Sequence, residues 1–169
     1  QILFRLEKLK EEMQEQLPKW FDAVSEIDAL NSPADFAALK PDYVYPKVTD
    51  GDFIFEIKNG SHPLLPSESR VGNDFEISGL GKLFIITGAN MSGKSTFLRM
   101  AAVNMILASV GTKVCADYMR YRPITIYTSV RTTDSVQKNE SYFYAELMRL
   151  KQMTDRLKAG KELFVILDE

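Results

Sequence analysis

Cysteine, histidine and net charge are all scarce in this sequence. Its single cysteine, Cys115, excludes an internal disulfide and any metal site built from several cysteines. A chain without disulfides suits a reducing compartment, so we expect a cytoplasmic protein. Its formal net charge of −2 excludes an overall basic surface of the kind that attracts nucleic acid. Contact with DNA would therefore require a local patch or a part of the protein outside this chain.

Long hydrophobic runs are missing as well. No apolar stretch approaches the roughly 18 residues that cross a bilayer, so we expect no membrane contact. Acids and bases interrupt each apolar step near the N-terminus, which is unlike a secretory signal. The chain starts at Gln1 instead of methionine, and we expect it to be a segment of a longer protein. With 45% hydrophobic and 26% charged residues, its composition is that of a globular domain.

The first 42 residues have the pattern of a helical arm. Apolar residues recur there at steps of three and four, which predicts a helix with one apolar face. They are Leu6, Leu9, Met13, Leu17 and Val24. Pro18 is expected to bend or split this helix. Ser32 as an N-cap and Pro33 at the first helical position predict a second short helix. We therefore divide the chain into residues 1–42 and residues 43–169.

The second region is expected to be an α/β domain. Aromatic and β-branched residues predict strands at 43–48 and 52–57. Further along, strand patterns alternate with helix patterns, and Gly111 is suited to end the first helix. The predicted strands are 82–87, 124–130 and 162–167, and the predicted helices are 92–111 and 141–157. Strands that alternate with helices indicate a parallel sheet covered on both faces.

A phosphate-binding loop follows the predicted strand at 82–87. Gly88, Gly93, Lys94 and Ser95 satisfy the pattern G-x-x-x-x-G-K-[ST]. Glycines let the backbone turn so that successive N–H groups face phosphate oxygens, and the following helix adds its N-terminal dipole. Lys94 would bring charge to the β- and γ-phosphates, while the Ser95 hydroxyl would ligate Mg²⁺. The predicted nucleotide contacts are Gly88, Ala89, Asn90, Met91, Ser92, Gly93, Lys94, Ser95 and Thr96. The alternative is a glycine-rich turn before an ordinary helix.

Two acids close the sequence. Five apolar residues run into Asp168 and Glu169, as expected of a buried strand that delivers its last residues to a sheet edge. In P-loop proteins such an aspartate holds Mg²⁺ through its water shell, and Asp168 is the predicted residue. Glu169 is predicted to orient or deprotonate the attacking water. The alternative is a pair of solvated acids. Since the sequence stops at this edge, we expect the longer protein to continue beyond it.

Several of these segments resemble the ATPase domain of the MutS family of DNA mismatch repair proteins. The resemblance covers about residues 20–169 and rests on "TGANMSGKSTFLR", "GSHPLL", "GND", "ASVGTKVCA" and "NESYFYAEL", which occur in the family's order. It implies an ABC-type P-loop NTPase fold, truncated after the second catalytic strand and preceded by the remnant of a helical lever or clamp. It also implies a dimer of identical or related subunits, with ATP and Mg²⁺ bound at the subunit interface.

The resemblance also implies roles for individual residues. Ser141 would complete the ATP site of the partner subunit; the alternative is a simple helix N-cap. His62 would lie near the nucleotide, and Asn73 would border the adenine pocket. Arg131 and Asp134 match charged positions ahead of the serine, or belong to a solvated loop.

The chain departs from the family's pattern at several positions. Ala89 replaces the usual proline and Ser92 the usual glycine, and both are small enough to preserve a phosphate-binding loop. Tyr142 stands where threonine is common. Arg70 and Val71 occupy the place of the usual base-stacking aromatic residue. Adenine would therefore stack on Arg70 or bind less selectively.

The resemblance thus implies an ATP-binding and ATP-hydrolysing domain of a MutS-like mismatch repair protein. Nucleotide state would be coupled to a dimeric DNA clamp, with Glu169, Lys94 and Ser141 as catalytic residues. Double-stranded DNA would contact parts of the protein outside this chain. The alternatives are a MutS-family ATPase in another DNA transaction, a different P-loop ATPase, or an interaction module with vestigial nucleotide binding. We expect the isolated chain to hydrolyse ATP poorly, because it ends before the strands that should flank the last one.

Overall fold

The chain folds as two compact units, Gln1–Pro41 and Asp42–Glu169, which meet next to the boundary predicted from the sequence. The computed structural model describes residues 2–129 and 142–168. Within these described residues, no helix is both long enough and apolar enough to cross a membrane.

The first unit consists of two helices, α1 (Ile2–Gln14) and α2 (Gln16–Leu39). The split predicted from Pro18 occurs, and it falls at Glu15. A proline ring cannot donate to the carbonyl four residues earlier and clashes with it, which favours a break or a bend near Gln14, four positions before Pro18. Pro18 itself lies in the first turn of α2, where a backbone N–H has no intrahelical acceptor.

The second short helix predicted at Ser32 and Pro33 is wrong. Helix α2 continues to Leu39 with Pro33 in its interior. An interior proline costs about 3 kcal/mol or more, because one helical hydrogen bond is lost. Alanine and leucine, which are strong helix formers, surround the proline in the sequence "DALNSPADFAAL".

The second unit contains a mixed sheet of four strands. They are β1 (Lys47–Val48), β2 (Ile54–Gly60), β3 (Asn73–Ser78) and β4 (Tyr118–Tyr121), in the order β1-β4-β2-β3. Strand β2 is antiparallel to both neighbours, and β1 is parallel to β4. The predicted strand at 43–48 is reduced to β1 and a single bridge between Val44 and Val114.

A separate parallel pair is formed by β5 (Thr125–Ser129) and β6 (Leu163–Leu167), with α4 (Tyr142–Lys158) between them in the chain. This strand–helix–strand unit agrees with the alternation predicted from the sequence. The parallel sheet predicted from residue 82 onward is represented among the described residues by this pair, whereas β1–β4 form the mixed sheet.

The predicted strand at 82–87 is also wrong. These residues form no ladder with any described strand, and the described partner of β6 is β5. Leu83 is 84% exposed and Ile85 is 76% exposed. Apolar sequence alone does not make a strand, since a strand also needs a neighbour that satisfies its backbone groups.

The core lies between the mixed sheet and helix α3 (Lys94–Val110). Alternate residues of β2 face inward, and Phe55 and Ile57 are fully buried there. Met100 and Met105 of α3 pack into the same cluster. Each such side chain contributes about 1.5–3 kcal/mol on burial. Gly111 ends α3 in a left-handed conformation and donates to the carbonyl of Ala108, as predicted. The other end of α3, at Lys94, begins directly after the predicted phosphate-binding loop.

Candidate nucleotide-binding site

The loop before α3 has the backbone of an anion-binding turn. The Ser92 N–H donates to the Ala89 carbonyl at 3.2 Å, and the Phe97 N–H donates to the Gly93 carbonyl at 2.8 Å, which starts the helix. Positive φ occurs at Met91 (65°) and at Gly93 (91°). Turns of this kind direct successive N–H groups into one concavity that suits anions.

A side chain at Gly88 would displace the Ser92 hydroxyl. A Cβ atom at this position would lie 2.8 Å from the Ser92 hydroxyl oxygen, closer than such contacts normally come. At Gly93, space is open and the positive φ is what favours glycine. The two glycines of the motif therefore serve different needs: close approach at the first, backbone conformation at the second.

Lys94 lies over this loop. Its Nζ donates to the carbonyl of Gly88 at 2.9 Å and to that of Ala89 at 3.0 Å. An ammonium group has three donors, so these two contacts leave one for an anion. The position of the charge follows from the loop: Lys94 is the first residue of α3, and its side chain reaches back across the turn.

Ser95 and Asp168 come together although 73 positions separate them in the sequence. The Ser95 hydroxyl donates to Oδ1 of Asp168 at 2.8 Å. The Asp168 N–H donates to the Ser129 carbonyl at 2.9 Å, which anchors the acid where β5 and β6 end side by side. Arg99 lies 3.4 Å from the other carboxylate oxygen, Oδ2. The Asp168 side chain is only 10% exposed.

These oxygens fit a magnesium ion that brings further ligands. A serine hydroxyl and a carboxylate are hard oxygen donors, and Mg²⁺ commonly binds one or two carboxylates together with phosphate and water. Among the described residues, no group of three or more His, Cys, Asp or Glu side chains could hold a metal by itself. Ser95 and Asp168 therefore suit an ion shared with a phosphate.

A cavity of about 400 Å³ adjoins the loop. Its wall includes two residues predicted from the family resemblance, His62 and Asn73, together with Ser92, Gly93, Lys94 and Thr96 of the motif. Four other predicted contacts lie in the exposed part of the loop and do not line this cavity: Gly88, Ala89, Asn90 and Met91.

The surroundings of His62 at this wall favour its neutral form. Partial burial lowers its pKa, and the positive charge of Arg99 lowers it further. Its Nδ1 accepts a hydrogen bond from the Leu64 N–H at 3.3 Å. Asn73 is oriented by its side-chain amide, which donates to the Val71 carbonyl at 3.0 Å. Both residues are thus placed to face a ligand in the cavity.

Arg70 is not available to stack on a base in this arrangement. Its guanidinium donates to the Tyr43 hydroxyl at 2.7 Å and to the Cys115 sulfur at 2.9 Å, and the cavity wall is formed by Val71 instead. Burial raises the pKa of Tyr43 to about 12, so its hydroxyl stays protonated. The predicted stacking on Arg70 is therefore wrong here, and it is Val71 that lines the cavity.

Some predicted residues lie outside the described part of the chain. These are Glu169, Ser141, Arg131 and Asp134. Conversely, Arg99 is a neighbour of Asp168 that was not among the predicted residues. The signal was present, because Ser95 and Arg99 are four residues apart and therefore share one face of α3.

Similarity to known proteins was found over the same region. The MutS domain V family matches residues 84–169. DNA mismatch repair protein MutS of Fusobacterium nucleatum is 35% identical over 170 residues, which is 96% of this chain and 18% of that protein. DNA mismatch repair protein MutS of Ehrlichia chaffeensis is 37% identical over 150 residues, 87% of this chain and 18% of that protein.

A mammalian relative is equally similar. MutS protein homolog 4 of Mus musculus is 36% identical over 157 residues, which covers 90% of this chain and 16% of that protein. The chain thus spans less than a fifth of the length of these curated relatives. Because the family match covers more than half of its residues and includes the loop, helix α3 and Asp168, the chain belongs to the MutS domain V family.

Proposed function

We propose that this chain forms the ATP- and Mg²⁺-binding part of a MutS-like ATPase with a P-loop NTPase fold. The observation that carries the proposal is the hydrogen bond of 2.8 Å between Ser95 and Asp168 beside the phosphate-binding loop. An ordinary glycine-rich turn would not be expected to pair a serine with a largely buried acid from a distant strand. Two oxygen ligands next to a lysine and a helix N-terminus match the needs of a metal-bound triphosphate.

The residues would share the work of binding a triphosphate as follows. Loop amides and the first turn of α3 would bind phosphate oxygens, and Lys94 would move from the loop carbonyls to the β- and γ-phosphates. Ser95 and Asp168 would hold Mg²⁺, which supplies neutralisation of phosphate charge when bound. Glu169, next along the chain, is proposed to orient and deprotonate the attacking water, and Ser141 to reach the site of a partner subunit.

The names of the relatives support a proposal for the biological role. Proteins named DNA mismatch repair protein MutS match nearly the whole chain, so we propose a role in DNA mismatch repair. Nucleotide state would be coupled to a dimeric clamp whose contacts with double-stranded DNA lie outside this chain.

A second candidate is a MutS-family ATPase in another DNA transaction. The similarity to MutS protein homolog 4 is as high as that to the bacterial proteins, so similarity does not select between them. Binding of the whole protein to mismatched and matched duplexes of the same length separates the two. Preference for the mismatch supports the repair role, and equal affinity supports the second candidate.

Titration with a fluorescent ATP analogue tests the nucleotide site itself. We expect this chain to bind the analogue in a saturable, Mg²⁺-dependent manner. In Lys94→Ala the affinity for the analogue should fall about tenfold to a hundredfold, because a charge-assisted contact is removed. Lys151→Ala, which removes an exposed lysine of α4, is the matched control and should bind like the wild-type chain. Equal affinity of wild type and Lys94→Ala would contradict the proposal. Complete absence of binding would favour an interaction module.

A further inference from the structure

Asn104 is a fully buried polar residue in the core of the second unit. It lies on α3, the helix that begins at Lys94, and it is 0% exposed. Its side-chain nitrogen donates to the Ser61 carbonyl at 3.0 Å and to the Met100 carbonyl at 2.9 Å. Its side-chain oxygen accepts from the Cys115 N–H at 2.7 Å. One amide thus joins α3 to two other chain segments, one of them 43 positions away in the sequence.

Those two segments are also joined to each other. The Ser61 N–H donates to the Cys115 carbonyl at 2.9 Å, and the Ser61 hydroxyl lies 3.0 Å from the Cys115 sulfur. The same sulfur accepts from Arg70. We call these four residues, Ser61, Arg70, Asn104 and Cys115, the Asn104 network.

Two residues of the Asn104 network are followed in the chain by residues that line the cavity. Ser61 precedes His62, and Arg70 precedes Val71; both His62 and Val71 line the cavity beside Lys94. The phosphate-binding loop also lines that cavity, through Ser92, Gly93 and Lys94. Because the loop leads into α3 and Asn104 of α3 is bonded to Ser61 and Cys115, this helix links the loop to the wall that contains His62 and Val71.

We propose that Asn104 is a positioning residue that sets the wall facing the nucleoside part of the nucleotide. The inference rests on the proposed function, since it assumes that the loop binds the phosphates. An apolar residue at this position would leave a backbone carbonyl and a backbone N–H without this buried partner, which is why an amide suits the place. The wall would then be free to shift while the loop, held by its own turn and by Gly93, stays formed.

The test compares two ligands of the same protein. Inorganic tripolyphosphate needs the loop alone, whereas ATP also needs the opposite wall. In the full chain, Asn104→Leu is expected to lower the affinity for the fluorescent ATP analogue about tenfold. The affinity for tripolyphosphate, measured by competition with the analogue, should stay unchanged. Met105→Ala, a buried change on the same helix without a polar contact, should lose stability but bind both ligands like the wild-type chain.

Two outcomes would overturn the inference. One is unchanged binding of the ATP analogue in Asn104→Leu. The other is an equal loss for both ligands, which indicates that the whole site is damaged. Failure of the wild-type chain to bind either ligand is a different result, because it contradicts the proposed function.

A milder variant and a ligand-free measurement guard against misfolding of Asn104→Leu. Cys115→Ala keeps the backbone contacts and removes only the sulfur, so the same pattern should appear at about twofold to threefold. Amide hydrogen exchange of the nucleotide-free chain should quicken around Ser61–His62 and Arg70–Val71 in both variants, and stay unchanged in β4. If exchange quickens equally in these segments and in β4, relative to the wild-type chain, the positioning role is contradicted even if no nucleotide binds.

Discussion

The two halves of the second unit are packed very differently. The mixed sheet and α3 enclose fully buried residues such as Phe55, Ile57 and Met105. The segment before the phosphate-binding loop and the end of β6 leave Leu83, Ile85 and Leu167 exposed. The predicted ligands for Mg²⁺ meet where the two halves join, through one hydrogen bond from Ser95 of α3 to Asp168 after β6. A well-packed scaffold therefore presents a site whose other side is sparsely packed.

The largest expected effect separates these halves by stability. Phe55→Ala should lower the free energy of unfolding by about 3–5 kcal/mol, because it removes a buried ring and leaves a cavity. Leu83→Ala, an apolar truncation in the exposed segment, should change it by less than about 0.5 kcal/mol. Urea denaturation of both variants measures the difference. Similar losses would show that the exposed segment is packed as firmly as the sheet.

A second prediction concerns backbone conformation at the site. Gly93→Ala places a Cβ at φ 91°, and Gly111→Ala does the same at φ 85°. Each should lose about 1–2 kcal/mol of stability, because left-handed backbone is unfavourable for alanine. Only Gly93→Ala should also weaken binding of the ATP analogue. If Gly111→Ala weakens it equally, the loop conformation is not what binds the phosphates.

A third prediction tests the acid at the end of β6. Asp168→Asn retains an acceptor for Ser95 but loses the charge, so the Mg²⁺ concentration for half-maximal nucleotide binding should rise several-fold. Asp155→Asn on the exposed side of α4 is the matched control. Titration of Mg²⁺ at a fixed concentration of analogue measures this. An unchanged midpoint in Asp168→Asn would remove Asp168 from the metal site.

The smallest expected effect is a pH dependence from His62. Its pKa in the folded chain is lowered from 6.5, so the unfolded chain takes up a proton first as the pH falls. The contribution of neutral His62 to the free energy of unfolding is therefore complete above pH 6.5. It is lost as the pH falls towards the pKa of His62 in the folded chain. Urea midpoints should decline less between about pH 7 and about pH 5.5 in His62→Gln than in the wild type. As the only histidine, His62 can be titrated directly by NMR, and a pKa at or above 6.5 would contradict the prediction.

Local patterns accounted for much of the fold. Helix α3, its end at Gly111, helix α4, and strands β5 and β6 were predicted close to their observed limits, since side-chain periodicity and capping act over a few residues. The predictions that turned out wrong depended on distant partners. Residues 82–87 are apolar like a strand but form no ladder with a described strand, and Arg70 is bonded to Tyr43 and Cys115.

The candidate site divides in the same way. Short sequence patterns were enough to predict the glycines and Lys94 of the loop, and an acid at the end of β6, because each depends on the chemistry of neighbouring residues. Three contacts became visible only in the folded chain: Asp168 meets Ser95, Arg70 turns to Tyr43 and Cys115, and Asn104 joins three segments. Contacts between residues far apart in the chain depend on how whole elements pack, and no short pattern encodes that.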